Sequence, residues 1–264
     1  MPAGCHVLWR KAPHKTLAAL VHDSLAHIPA GTGVRVFFRA DDIGVPSRSF
    51  SRLLAIFSRQ QAPLALAVVP AWLTQPRWRF LLRASTGNRR RWCWHQHGWR
   101  HVNHEKRGKK QEFGPARTPA MLEADLLRGR KRLQALMGDR FTPIFTPPWN
   151  RCSREALALL KAHGYLAVSR DAGARATGPL GPPDIAVNVD LHTRCESDAQ
   201  DAARGLAAEL RYAFARGTCG IMIHHRRMNA AALEFLALLV GTLAAHPRVH
   251  LVDMRDLADR SRSP

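Results

Sequence analysis

The 264-residue sequence predicts an α/β fold built around a parallel sheet, which is either open or closed into a barrel. Short apolar runs rich in valine, isoleucine or phenylalanine recur along the chain, and longer segments with helical spacing of apolar residues lie between them. Strands that alternate with helices in this way form parallel sheets. Because a chain of this length can bury one sizeable core, we expect one domain over residues 1–264.

The predicted strands are short, and several are apolar enough to be fully buried. Helix starts carry capping signals, since Ser153 precedes an apolar run and Thr118 precedes Pro119. The basic stretch 100–117 and the Gly/Pro-rich stretch 171–184 interrupt the alternation and are predicted to be loops. The predicted strands cover residues 34–39, 64–69, 91–95, 142–146, 165–169, 185–189, 219–223 and 249–252. The predicted helices cover residues 15–27, 47–58, 77–84, 119–137, 153–163, 198–215 and 230–245.

The composition is typical of a globular protein, and it narrows the cellular location and the kinds of molecule that the protein could bind. No stretch reaches the roughly 18 apolar residues that cross a bilayer, so no membrane span is predicted. The start of the chain lacks the pattern of a secretory signal, and the five cysteines are scattered singly, so we expect reduced thiols and a cytoplasmic location. The net charge of +20 would suit an anionic partner, although abundant arginine and alanine also fit a high-GC genome.

Polar or conformationally special residues follow four of the predicted strands, at the point where each strand ends. In β/α folds the chemistry gathers on the loops that follow the carboxyl ends of the strands. If the barrel closes, we expect these residues to converge on one rim. They are Asp41 and Asp42 after the first strand, His97 and His101 after the third, Pro147 to Asn150 after the fourth, and His224 and His225 after the seventh.

Two histidines and a carboxylate in this set predict a metal site. His97 and His101 are four residues apart, so on a helical turn both imidazoles would point from one face, and Asp42 would add an oxygen ligand. A divalent ion with three protein ligands keeps a position open for water and lowers the pKa of that water, which suits hydrolysis. Asp41 and His224 are placed to act as base and acid. Zinc (Zn2+) is the expected ion, with cobalt, nickel or iron as alternatives.

Each of these signals has a simpler structural explanation when it is taken alone. An HxxxH spacing arises by chance in a chain with 14 histidines, Asp-Asp-Ile-Gly also suits a turn, and Pro147-Pro148 could simply end a strand. His95 and His104 bracket the histidine pair and could supply alternative ligands, although His95 falls on the predicted strand. The order of the motifs, each at a strand end, favours the functional interpretation.

In this order the motifs resemble those of the NodB-homology domain of polysaccharide deacetylases, also called carbohydrate esterase family four. The similarity spans about residues 34–252. Arg39-Ala40-Asp41-Asp42-Ile43-Gly44 resembles the first motif of divergent members, and His97-Gly98-Trp99-Arg100-His101 is similar to the family's H-x-x-x-H. The resemblance implies that Asp41 is the catalytic base and that Asp42, His97 and His101 hold the metal.

The third motif matches less completely. Phe145-Thr146-Pro147-Pro148-Trp149-Asn150 resembles the proline-rich turn that lines the family's cleft, so Pro148, Trp149 and Asn150 are expected to contact substrate. The arginine with which this motif usually steadies the base has no obvious counterpart in the sequence.

Two further motifs complete the resemblance. The apolar strand that ends in His224 is similar to the last motif and implies that His224 is the general acid, while His225 stands where the family often has aspartate and is expected to line the cleft. The fourth motif supplies an aspartate that orients the acid. Asp190, which we also place with the substrate-binding residues, is the first choice for it and Asp171 is the rival.

The resemblance implies a distorted (β/α)7-type barrel and a metal-dependent hydrolase. Such an enzyme removes an acyl group, usually acetyl, from an N-acylated sugar or glycoconjugate through a metal-activated water. The departures from the motifs and the missing signal peptide suggest a divergent intracellular branch, with a soluble sugar precursor or a glycolipid head group as substrate.

Two other functions stay open at this point. A basic nucleic-acid-binding protein is suggested by residues 77–110, where arginine and lysine alternate with Trp78, Phe80, Trp92, Trp94 and Trp99. Against it, Trp92 and Trp94 flank the supposed metal strand and are better explained as barrel packing. A catalytically degenerate barrel that binds a carbohydrate ligand is suggested by the missing arginine of the third motif.

Overall fold

The computed structural model describes residues 4–12, 14–85, 87–174 and 178–260. Strands and α-helices alternate along most of this length, as the sequence predicts. The strands are β1 (Val34–Ile43), β2 (Leu64–Val68), β3 (Trp92–His97), β4 (Phe141–Thr146), β5 (Ala167–Val168), β6 (Val189–Asp190), β7 (Thr218–Ile223) and β8 (Val249–Leu251). The α-helices are α1 (Leu8–Lys11), α2 (His14–Leu25), α3 (Arg48–Arg59), α4 (Gln75–Ala84), α5 (Pro119–Met137), α6 (Arg154–Ala162), α7 (Ala199–Ala215), α8 (Ala230–Ala245) and α9 (Met254–Arg260).

The strands form one curled sheet in which all neighbouring strands are parallel. Their order is β5-β4-β3-β2-β1-β7-β6, and β8 pairs with the start of β1. The N–H of Ile185 bonds to Val168 of β5, and the N–H of Asn188 bonds to Gly220 of β7. Segment 184–188 therefore links the two sides of the curled sheet. The distorted α/β barrel expected from the sequence is confirmed.

Two strands run further than the sequence predicted. β1 continues through Asp41 and Asp42 to Ile43, which pairs with Val68 of β2. β3 continues to His97, which pairs with Thr146 of β4. Asp41 and Asp42 therefore lie within β1, and His97 is the last residue of β3, because the backbone ladder with the neighbouring strands extends to these positions.

Other elements differ in extent from the predictions. In the predicted strand 185–189, Val187 forms an isolated bridge with Asp171, and the regular strand is limited to Val189–Asp190. The short helices α1 and α9 were not predicted. The bounds of α5 and α8 are those predicted, since Thr118 and Asn229 cap their first turns.

The apolar core lies between the sheet and the surrounding helices. Its members come mainly from β1, β2, α3, α7 and α8. Trp78, Trp92 and Trp94 belong to it and are at most 4% exposed. These three rings pack inside the protein and are therefore not available to stack on nucleic-acid bases. None of the helices in the described part of the chain combines the length and the apolar character needed to span a bilayer.

Candidate metal centre and catalytic cleft

Most of the predicted strand-end residues line one cavity of about 600 Å³ at the carboxyl edge of the sheet. β1 contributes Asp41 and Asp42, β3 and the following loop contribute the two histidines, and His224 follows β7. The parallel arrangement brings these distant parts of the sequence together. The cavity is lined by Asp41, Asp42, His97, His101, Trp149, Asn150, Asp190 and His224, among others.

Asp42, His97 and His101 form a compact group of possible metal ligands. Their candidate ligand atoms all lie within 4.8 Å of one another. Asp42 Oδ1 is 3.5 Å from Nε2 of His97 and 3.2 Å from Nε2 of His101, and this buried oxygen makes no hydrogen bond with the described residues. Two imidazole nitrogens and one carboxylate oxygen directed at a common point are a donor set that fits a divalent ion such as zinc.

A hydrogen bond fixes the orientation of the His97 ring. Nδ1 of His97 lies 2.9 Å from the carbonyl oxygen of Thr146 and must carry the proton to donate to it. Nε2 is then left with a free lone pair, which is the form that binds a metal. Burial lowers the pKa of His101 to about 4, so His101 is also neutral near pH 7.

The two histidines do not share a helical turn, contrary to the expectation from their spacing. His97 is the last residue of β3, and the chain then turns back sharply, with φ of 57° at Gly98 and 61° at His101. The buried carboxylate of Glu112 accepts hydrogen bonds from the N–H groups of Trp99 and Arg100, at 3.0 and 2.6 Å. A carboxylate from the predicted loop therefore holds the turn that brings His101 beside His97.

Replacing Gly98 with alanine is expected to disrupt this turn. A Cβ at Gly98 would lie 2.6 Å from Cγ of Pro148 and closer still to the Glu112 carboxylate, in a backbone conformation that disfavours side chains. We expect a loss of about 3 kcal/mol in the free energy of unfolding, measured in urea, together with loss of bound metal.

Gly108→Ala is the matched control for this variant. Gly108 lies in the same loop with φ of 78°, but no atom is within 4 Å of its added Cβ. Gly108→Ala should lower the free energy of unfolding by about 1 kcal/mol and leave the metal content unchanged. If both variants lost the same free energy of unfolding, the close contacts of a Cβ at position 98 would not be the cause of the loss.

A bulge in β1 brings both aspartates to the same cavity. Successive side chains of a regular strand point to opposite faces, yet Asp41 and Asp42 both line the cavity. The register of β1 against β2 shifts between Ala40 and Ile43, and Asp42 has φ of 61°. The bulge therefore places two adjacent carboxylates at the same site.

Arg39 holds Asp41, the candidate base, in a fully buried ion pair. Its Nε and one terminal nitrogen each donate to a different carboxylate oxygen of Asp41, both at 2.8 Å. Burial alone would raise the pKa of Asp41, but the charge of Arg39, with smaller contributions from His97 and His224, keeps it below its usual range. Asp41 is therefore ionised near neutral pH.

This contact supplies the arginine that the sequence seemed to lack. The guanidinium reaches Asp41 from β1, two residues before it, and not from the proline-rich turn. The terminal nitrogen that donates to Asp41 also donates to Asn150 Oδ1 at 2.6 Å, and the second terminal nitrogen donates to the Ser169 hydroxyl at 2.8 Å. The signal in the sequence was an arginine inside an apolar strand, a residue type that is rarely fully buried without a partner.

The proline-rich turn contributes two of its three predicted contact residues to the cavity. Trp149 and Asn150 both have left-handed backbone conformations, with φ of 57° and 60°, and both line the cavity. The Trp149 ring also packs on His101 with a centroid distance of 4.5 Å. Pro148 is buried beneath Gly98 and does not line the cavity, so the expectation that it contacts substrate is not supported by its position.

His224, which follows β7, lies on the wall of the same cavity. Its N–H donates to Nδ1 of the buried His192 at 3.2 Å, and its own Nδ1 is buried without a partner among the described residues. Asp190 lines the same cavity, but its carboxylate accepts hydrogen bonds from the N–H groups of His192 and Thr193. Asp171 also lines the cavity. No described hydrogen bond joins either aspartate to His224.

Two other histidines are buried away from the cavity. His225, which was expected to line the cleft, is 1% exposed and packs edge-on against Phe50, because the short helical turn after β7 directs it into the core. Burial lowers the pKa of His225 to about 4. His95 is fully buried, and its Nε2 bonds to the Thr146 hydroxyl at 2.9 Å. His95 and the exposed His104 lie outside the group of candidate ligands formed by the described residues.

The comparison with known proteins rests on structure, since no family model and no curated protein matches the sequence. A protein from Mycobacterium smegmatis that bears the name polysaccharide deacetylase aligns with a TM-score of 0.67 at 18% identity, over 89% of this chain and 92% of its own. The chain has the polysaccharide-deacetylase fold. This confirms the fold implied by the sequence motifs.

Other proteins share this deacetylase fold. The allantoinase PuuE aligns with a TM-score of 0.62 at 16% identity, over 88% of this chain and 92% of its own. A carbohydrate esterase family four pseudoenzyme from Bacillus anthracis aligns with a TM-score of 0.55 at 11% identity, over 88% of this chain and 67% of its own. Because proteins with this fold differ in reaction, the function must be argued from the side chains at the site.

Proposed function

We propose that this protein is a divalent-metal-dependent hydrolase that removes an acyl group, acetyl in the first instance, from the nitrogen of an N-acylated sugar or glycoconjugate. The observation that carries the proposal is the combination, in one cavity, of three convergent metal ligands with an ionised carboxylate beside them. Asp42, His97 and His101 would hold the ion, which we take to be zinc.

When bound, a divalent ion would lower the pKa of a coordinated water and polarise the acyl oxygen. Asp41 would take the proton of the attacking water, and Arg39 keeps Asp41 ionised and fixed for this role. As the carbon–nitrogen bond breaks, His224 would donate a proton to the leaving nitrogen. Water and amide thus become a free acid and an amine.

The remaining cavity residues would bind the sugar. Trp149 offers an aromatic face above His101, and Asn150 and Asp190 offer polar groups on the wall of the same cavity. Aromatic faces with a few polar groups are the usual composition of a small-molecule pocket. The cytoplasmic location remains part of this proposal.

The main argument for a degenerate, non-catalytic barrel no longer holds. It was suggested by the missing arginine, and the structure provides a guanidinium on Asp41 from another position. A non-catalytic protein would keep its fold and release no acetate, which the following experiment measures.

The direct test is acetate release from N-acetylated sugars by the purified protein with and without added zinc. We expect release that stops after treatment with a chelator and returns with zinc. Asp41→Asn should keep the metal and lower the rate by about 10²- to 10⁴-fold, the usual contribution of a general base. Asp23→Asn, at an exposed position of α2, is the control and should change neither quantity. Absence of acetate from every N-acetyl sugar, with metal bound, would contradict the proposal.

A further inference from the structure

A second cavity, which His224 does not line, adjoins the cleft. Its volume is about 780 Å³. The two cavities share four wall residues, Asn150, Arg151, Asp171 and Gly173, so a ligand can extend from one into the other. The two cavities together exceed the size of a single acylated sugar ring and leave room for a substituent on it.

The wall of the second cavity is strongly cationic. Lys109, Arg151, Arg154 and Arg170 all line it, and Asp171 is the single carboxylate among its described lining residues. Arg170 is paired with Asp184, with Nε 2.9 Å from the carboxylate. Lys109, Arg151 and Arg154 form no ion pair with any described residue. We call this group of four residues the cationic wall.

The first cavity has the opposite character. Its wall carries five carboxylates against two arginines, Arg151 and Arg227. The charge of the wall therefore changes sign between the first cavity and the adjoining second cavity. Such a contrast orients a ligand that is neutral at one end and anionic at the other.

The fold holds the cationic wall next to the candidate metal site. Arg151 and Arg154 lie between the end of β4 and the first turn of α6, directly after Trp149 and Asn150 of the cleft. The N–H of Ser153 bonds to the carbonyl of Phe113 at 2.8 Å, which fastens the loop that carries Lys109 to this segment. The charges of Arg151 and Arg154 thus directly follow the turn that lines the cleft.

We infer that the second cavity is a subsite for a phosphoryl group, so that the substrate is an N-acylated sugar bearing a phosphate or diphosphate ester. This inference rests on the proposed function of the adjoining site. Guanidinium groups match phosphate oxygens in a bidentate geometry, and Lys109 adds a point charge. The acyl group would lie at the metal end and the phosphoryl group at the cationic wall.

The test compares the binding of N-acetylglucosamine and N-acetylglucosamine 1-phosphate by calorimetry. The zinc-loaded Asp41→Asn protein serves as background, so that turnover does not consume the ligand. We expect the phosphate ester to bind about tenfold more tightly, a preference that Arg151→Gln/Arg154→Gln should reduce to about twofold. The control Arg79→Gln/Arg83→Gln removes the same charge from exposed positions of α4 and should leave the preference intact.

The outcomes separate the subsite from the hydrolase. Equal affinity for the two sugars, or a preference that survives Arg151→Gln/Arg154→Gln, would overturn the subsite even if the wild-type enzyme releases acetate. A preference lost only in that double variant would support the subsite even if neither sugar releases acetate. Loss of the preference in the control as well would mean that net charge alone attracts the ligand, and would also overturn the inference.

Discussion

Replacing His101 with alanine is expected to remove the bound metal and nearly all activity. His101 offers one of three candidate ligand atoms, and two ligands hold a divalent ion far more weakly than three. We expect metal content, measured by elemental analysis, to fall from about one equivalent to near zero, and acetate release to fall by on the order of 10³-fold. The double variant Asp42→Ala/His97→Ala should behave in the same way.

His104→Ala is the matched control for the metal experiment. His104 lies three residues away on the same loop, is exposed, and is not part of the ligand group. Its loss should change neither the metal content nor the rate. A purified, folded His101→Ala protein that kept both its metal and its rate would refute the ligand assignment.

Replacing Arg39 with methionine is expected to affect stability and activity together. The substitution leaves Asp41 buried without a counter-charge, and removing one partner of a buried ion pair typically costs about 3–5 kcal/mol. Asp41 would also lose the two hydrogen bonds that fix its orientation, so the rate of acetate release should fall by about 10²-fold or more. Urea unfolding and the acetate assay measure the two effects.

Two further variants separate the charge of Arg39 from its shape. Arg39→Lys keeps the charge but loses the forked pair of hydrogen bonds, so we expect only partial recovery of the rate. Arg35→Met removes an arginine from an exposed position of the same strand and should change stability by less than about 0.5 kcal/mol. If Arg39→Met were as stable and as active as the wild type, Arg39 would have no role in positioning Asp41.

The candidate site was largely predictable because its residues lie at or just after the carboxyl ends of strands. Apolar runs mark the strands, and parallel strands bring their carboxyl ends to one edge, so Asp41, Asp42, His97, His101 and His224 could be assigned to one rim without coordinates. The structure brings these five residues to one cavity. Their catalytic and ligand roles remain predictions.

The contacts that hold the site could not be predicted in the same way. In the sequence, Arg39 is one of 40 lysines and arginines, and Glu112 is one charged residue in a basic loop. Each is buried because its partner arrives from elsewhere: Ser169 and Asn150 surround Arg39, and the turn after His97 lies against Glu112. Pairings between residues far apart in sequence leave no local pattern.

The sequence by itself determined the alternation of strands and helices, the bounds of α5 and α8, and the set of polar residues at the strand ends. These follow from periodicity and from local capping, which act over a few residues. The tertiary structure alone decided that a bulge in β1 directs both Asp41 and Asp42 into one cavity and that Arg39 pairs with Asp41. It also decided that His225 faces the core and that the cationic wall adjoins the cleft. These features depend on packing and strand register, in which burial and electrostatics act between segments that only the fold brings together.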